Sequence, residues 1–437
     1  MGTYVVCSSW GEHGGIDGVS VFAYEPETGK LSDRQIIEKA LTPDAISGSS
    51  HFHDNAHKLI YMVDEIDKAY DKCASGKKTG GNSGLRQGGG GTIVVWKYGS
   101  KGSLERIQEV DSYGSNPSMF TKRPDGKYGV VSCHGQAACA TQTRASENGF
   151  ELVPAYSEPN IVLFKMKADG TLSPDPLDIY QIDSGKGDTW KDPDWRMSHM
   201  HSCVWAPAKL GDFFIVNDKG TGHIYSMTVK DDAIKLLFDF DANQLGDADD
   251  PGAKKPKPRY VRFHPTKRWF FVNYEGANRF DAFSYDENGT IAAIGSDTVV
   301  EKDKRSSLPD GCRFESQDMQ INADGTICYS CYRGSNDGFK GTNRIHKSGG
   351  WQGVAVYAID QTSGSVSRIQ NAEFEESEGL FWPRGCSISP DGRFLLVATL
   401  HGDKIVSIPI NDDGTLNLAG KSLTDMDTPS GFTFFEA

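Results

Sequence analysis

Arginine, histidine and glutamate recur at matching places along this chain, and the chemistry they could do together is proton transfer beside a bound anion. The densest stretch runs Lys257-Pro258-Arg259-Tyr260-Val261-Arg262-Phe263-His264-Pro265 into Phe271-Val272-Asn273-Tyr274-Glu275-Gly276. A guanidinium fork suits the planar oxygens of a carboxylate or phosphate, and a nearby Glu can carry a proton. Ser198-His199-Met200-His201 precedes this stretch and Arg333 follows it, adding an imidazole and a second guanidinium. Arg259 and Arg333 are expected to hold anionic groups and steady developing negative charge, worth roughly a few kcal/mol in a dry site. His201 or Glu275 would move the proton, a contribution of roughly 10²–10⁴-fold.

Such residues are far apart in sequence, so a repeated architecture must bring them together. One pattern recurs: a short strand, a Pro-Asp-Gly-like turn, a second strand, a variable loop, and a third strand closed by a hairpin of the Asp/Asn-Gly-Thr-Leu type. The clearest copy runs from Trp382-Pro383-Arg384-Gly385 through Ser389-Pro390-Asp391-Gly392 to Asp413-Gly414-Thr415-Leu416. Other copies begin near Ser49, Pro117, His199, Pro258 and Ser316. The chain ends supply two halves of a seventh, because Thr428 to Phe435 matches the first strand of the repeat and Tyr4-Val5-Val6-Cys7 the second. The prediction is all-β: a seven-bladed β-propeller over 1–437, one domain, closed by pairing of the N- and C-terminal strands in one blade. Long loops are expected at 74–91, 136–158, 182–198, 241–257 and 335–350.

Blades are radial copies, so equivalent positions form rings about the axis. Six residues before each turn proline, or its equivalent, lie Ser49, Ser118, His201, Arg259, Gln317, Arg384 and Ser430, all polar. A second ring closes the second strand, before a glycine in most blades: Trp10, Glu65, His134, Lys219, Glu275, Arg333 and His401. Polar residues at such positions point to water or a ligand at the hub. Beside the four catalytic candidates, Arg384, His199, Gln317, His134, Lys219, Glu65 and His401 are therefore expected to bind substrate.

The bulk composition narrows the partners. A formal charge of -13 over 437 residues repels nucleic acid phosphates, and no basic stripe offsets it. No run approaches the roughly eighteen apolar residues of a membrane helix. Nine cysteines without disulfide spacing suggest a reducing, cytoplasmic compartment. Cys328-Tyr329-Ser330-Cys331 lies in a strand, where its thiols read as core residues, and Gly88 to Gly91 lacks the Lys-Ser/Thr ending of a phosphate loop. His199 with His201, and His51 with His53, alternate as pairs that could bind a metal. A propeller that only binds protein partners would instead show an apolar rim and no ionisable hub.

At these residues the chain resembles the lactonase family of seven-bladed propellers, which includes bacterial 6-phosphogluconolactonases and fungal 3-carboxy-cis,cis-muconate lactonizing enzymes. The resemblance spans essentially the whole chain and is clearest in Ser198 to His201, Asn217-Asp218-Lys219-Gly220, Pro258 to Glu275 and Pro383-Arg384-Gly385. It implies a small anionic substrate, no cofactor and no metal, and an active site at the positions matching His201, Arg259, Glu275 and Arg333. One departure is Ser132-Cys133-His134-Gly135, where many relatives read like Ala-Asn-Tyr-Gly. Ring closure of a carboxymuconate-like diacid is the first expectation; lactone hydrolysis is the alternative.

Overall fold

Short runs of β-branched and aromatic residues, punctuated by glycine turns, pair antiparallel into seven four-stranded sheets. The structure is a computed structural model that describes residues 2–10, 18–38, 48–65, 91–135, 140–146, 149–155, 159–182, 198–245, 256–301, 303, 312–336 and 352–437. We number the blades by their inner strands: Gly48–Asp54, Pro117–Lys122, Met200–Trp205, Pro258–Phe263, Cys312–Ile321, Pro383–Ile388 and Pro429–Glu436. Each inner strand touches the next, and the seventh returns to the first, which closes the ring.

Blade 7 is sewn from both ends of the chain. Thr3–Ser9 pairs with Pro429–Glu436 in a register running from Thr3 opposite Glu436 to Ser8 opposite Gly431. Val19–Tyr24 and Leu31–Glu38 complete that sheet. The pairing leaves the propeller no open inner sheet edge.

Middle strands are buried on both faces because each blade lies against two others. Leu59–Asp64 and Phe394–Thr399 are buried at every residue, whereas the outer strand Leu104–Asp111 is mostly exposed or half-buried. Each buried Leu, Ile, Val or Phe contributes roughly 1.5–3 kcal/mol.

Every inner strand carries one extra residue, near its start in all but blade 5, where the strand begins earlier. The register jumps between Gly48 and Ser50, Pro117 and Met119, Met200 and Ser202, Pro258 and Val261, Ser316 and Met319, and Pro383 and Cys386, and at Ser430 in blade 7. Bulges of this kind re-aim a side chain. The bulges fall at the first of the two rings aligned from sequence. In four blades the inner strand starts with proline after a left-handed residue: Asn116 (φ 51°), Lys257 (φ 55°), Trp382 (φ 60°) and Thr428 (φ 43°). Proline suits a first strand position, where no ladder donor is needed.

Several predicted loops differ. The 136–158 stretch contains a hairpin, Ala140–Ser146 paired with Gly149–Ala155. Asp241 ends an outer strand and Ala242–Leu245 forms a 3-10 turn. Positions 335 and 336 belong to the strand Ile327–Asn336, and Ser198 is buried. Most of 74–91, 182–198 and 335–350, and 246–255, lie outside the described residues.

Candidate active site

The second ring is fixed by backbone bonds to the residue that leads into each inner strand. His134 N–H donates to Asn116 O (3.1 Å), Lys219 N–H to His199 O (3.1 Å), Glu275 N–H to Lys257 O (2.8 Å) and Trp10 N–H to Thr428 O (2.9 Å). In blade 6 the equivalent donor is Leu400, bonded to Trp382 O at 2.9 Å. His401 is thus one residue out of the ring, and the position is taken by a fully buried leucine. The glycine that follows His401 misdirects the alignment: a Cβ on Gly402 would lie 2.5 Å from Gly379 O, so that glycine answers a local close approach. His401 still reaches the site indirectly, its ring 4.3 Å from Trp382.

His201, Arg259 and Glu275 are brought into direct contact. Arg259 Nε donates to His201 Nε2 at 3.1 Å and lies 3.2 Å from Glu275 Oε2. Its Nη1 donates to Ser316 O at 3.2 Å. Lys219 Nζ approaches the same Glu275 carboxylate at 3.1 and 3.4 Å. All four side chains are buried.

Arg333 stands in the same electrostatic field but has its own partner. It forms a two-pronged pair with Glu315, at 2.9 Å from Nε and 2.8 Å from Nη2, and its guanidinium lies 3.7 Å from the centre of the Trp382 ring. Burial, with Arg259 and Arg384 pushing the same way against Glu315, lowers its pKa to about 10. Arg259 moves the other way: burial pulls it down, but Glu275, Tyr260, Glu315 and Glu65 together raise it.

Arg384 crosses from blade 6 to blade 1. Its Nη2 donates to Glu65 Oε2 at 2.7 Å, over a Trp10 ring 3.3 Å away. The other Glu65 oxygen faces His134 Nε2 at 3.2 Å, and the His134 ring stacks on His201 with centroids 6.0 Å apart and planes 10° apart. Gln317 is fully buried, with neither amide atom hydrogen-bonded among the described residues. Burial drives the pKa of His134, His199 and His201 below the usual 6.5, furthest for the last two, where neighbouring cations add to it.

The histidine pairs do not act as pairs. His199 leads into its strand and its Nδ1 meets His134 O at 2.6 Å, while His201 meets Arg259. His51 Nε2 lies 2.8 Å from Ser8 Oγ and His53 Nε2 3.1 Å from Tyr98 Oη. Among the described residues no group of three or more His, Cys, Asp or Glu is placed to hold a metal.

Two partners escaped the sequence reading. Glu315 sits directly opposite Arg333 in the strand register. It was hidden because blade 5's inner strand begins at Cys312, four residues ahead of the aligned repeat start. Trp382, in the left-handed position before Pro383, heads the clearest repeat, but its place just ahead of the inner strand gave no sign that its ring would cover Arg333.

Seven four-stranded blades whose inner strands close into a ring, with buried ionisable side chains gathered along them, define a seven-bladed β-propeller. Residues 129–434 match the lactonase, 7-bladed β-propeller family, and the chain belongs to that family. It is similar to the 6-phosphogluconolactonase of Formosa agariphila, 23% identical over 348 residues that cover 72% of this chain and 87% of that protein. The 6-phosphogluconolactonase of Bacillus subtilis is 24% identical over 308 residues, 69% of this chain and 75% of that one. In fold it resembles the periplasmic gluconolactonase of Pseudomonas aeruginosa (TM-score 0.68, 17% identity, 99% of each chain covered).

Proposed function

We propose that this protein hydrolyses a lactone bearing an anionic group, at the hub formed by His201, Arg259, Glu275, Arg333 and Arg384. The observation that carries the reading is a set of buried hub atoms with no hydrogen-bond partner among the described residues: His201 Nδ1, Arg333 Nη1, Arg384 Nε and both amide atoms of Gln317. Nearly all of these are donors, and each left unpaired costs roughly 1–3 kcal/mol. A ligand rich in acceptor oxygens, with a ring carbonyl and a carboxylate or phosphate, would satisfy them together.

Two curated relatives named 6-phosphogluconolactonase reverse the order expected from sequence and put ring opening ahead of muconate ring closure. In this reading water adds to the lactone carbonyl carbon and Arg259 steadies the oxyanion. Held by His201, Glu275 and Ser316 O, Arg259 needs little reorganisation to do so. Arg333 and Arg384 use their remaining N–H groups on the anionic substituent.

The test is turnover by the purified chain of glucono-δ-lactone, its 6-phosphate and carboxymuconate. The phosphorylated lactone is the expected substrate, and Arg259→Gln should lose about 10²–10³-fold in kcat. Turnover of carboxymuconate alone would restore ring closure, and full activity of Arg259→Gln would remove this hub from the chemistry.

A further inference from the structure

The hydrolysis proposed above needs a base, and the two residues first expected to supply one are engaged elsewhere. His201 Nε2 accepts the Arg259 Nε–H, and an arginine has only donors to offer, so the imidazole proton sits on Nδ1. No lone pair of His201 remains for a water proton. Glu275 lies between Lys219 Nζ at 3.1 Å and Arg259 Nε at 3.2 Å, where its charge holds both cations.

His134 has the complementary arrangement. Its Nε2 faces Glu65 Oε1 at 3.2 Å, and since the carboxylate can only accept, the ring proton belongs on Nε2. Nδ1 then carries the lone pair, and this buried atom has no hydrogen-bond partner among the described residues. Glu65 is itself fixed, because Arg384 Nη2 holds its second oxygen at 2.7 Å. The ring stacks on His201, which also meets Arg259 and the edge of the Tyr260 ring, so the free Nδ1 belongs to the same cluster as the proposed oxyanion holder.

We infer that His134 is the general base that activates water for lactone opening, and that Glu65 is a positioning residue that sets its tautomer. The inference rests on the lactone-hydrolase reading. Water gives one proton to His134 Nδ1 as its oxygen bonds to the carbonyl carbon, and the carbonyl π pair moves onto the oxygen beside Arg259. When the intermediate collapses, the ring C–O bond breaks and the leaving alkoxide takes the proton back from His134. One water is consumed, a hydroxy acid is released and the imidazole ends neutral.

The charged and titratable groups around His134 are Glu65 from blade 1, Lys219, His199 and His201 from blade 3, and Glu275 from blade 4. Burial lowers its pKa most and Lys219 lowers it further, while Glu65 and Glu275 raise it. At neutral pH it is the unprotonated base, and protonation below its lowered pKa should shut the reaction down.

The experiment is the pH dependence of kcat and kcat/KM for the 6-phosphate of glucono-δ-lactone, on wild type, His134→Gln and Glu65→Gln. His134→Gln is expected to lose about 10²–10⁴-fold in kcat with KM within about threefold, and to lose the acid limb of the profile. Glu65→Gln removes the carboxylate that raises the His134 pKa, so its acid limb should move to lower pH, an effect that a merely structural loss would not produce. If His134→Gln does not fold, the Glu65→Gln limb decides. A wild-type acid limb retained in His134→Gln, or an unmoved limb in Glu65→Gln, overturns the base assignment while leaving an active hydrolase. A wild type without turnover overturns the hydrolase reading and the base with it.

Discussion

Arg333 illustrates what a buried charge requires. It is held by Glu315 and laid over Trp382, and both ion-pair partners are nearly inaccessible. A pair of this kind is weak evidence of stability in itself, but removing one partner strands the other. Glu315→Ala should therefore destabilise the fold by roughly 3–5 kcal/mol, read from urea midpoints, whereas the double change Glu315→Leu with Arg333→Met should recover most of that loss. An unaffected midpoint in Glu315→Ala would mean that Arg333 finds another counter-charge. The double variant should be stable yet lose activity, which separates the pair's part in function from its part in folding.

The inner strand is the element that converts sequence repetition into a site. Its one-residue bulge turns Ser118, His201, Arg259, Gln317 and Arg384 off the ladder in successive blades, and lead-in carbonyls pin the second ring. In blade 6 the bulge residue beside Arg384 must be glycine, because a Cβ on Gly385 would sit 2.0 Å from Ser430 O of blade 7. Gly385→Ala should cost roughly 1–3 kcal/mol and displace Arg384, lowering both the urea midpoint and kcat. A wild-type midpoint would show that the two strands can part freely. Much of this was legible from the turns, since Pro124, Pro207, Pro265 and Pro390 lie six residues after Ser118, His201, Arg259 and Arg384, and the repeat extended the first ring to Gln317, Ser49 and Ser430. The second ring was less so. Gly402 follows His401 for a packing reason that looks like the repeat's own glycine, and the longer blade 5 strand concealed Glu315, whose role depends on pairing across strands.

At the scale of the whole molecule, the fold is closed by its two ends and keeps several histidines neutral in its interior. Seven blades and terminal pairing followed from complementary half-repeats, whereas the hairpin inside 136–158 did not, since it belongs to no repeat. His51, His134, His199 and His201 all have pKa values lowered from 6.5, chiefly by burial. Below pH 6.5 the unfolded chain takes up protons that the folded chain refuses, so stability falls as pH drops from 6.5 toward the folded values. The loss per histidine is at most about 1.4 kcal/mol per pH unit. Asp281 and Asp318, raised from 3.8 by burial, act in the opposite sense and reduce the net slope. The urea midpoint should drop between about pH 7 and about pH 5 with little change in m; a flat profile would mean that these histidines ionise freely in the fold.

The most direct measurement is a crystal structure of the chain with 6-phosphogluconate, the product of the proposed hydrolysis. Its carboxylate or phosphate is expected within roughly 3 Å of Arg259 and of the spare N–H groups of Arg333 and Arg384. A product molecule bound on the outer blades, with the hub arginines keeping only their glutamate partners, would contradict it.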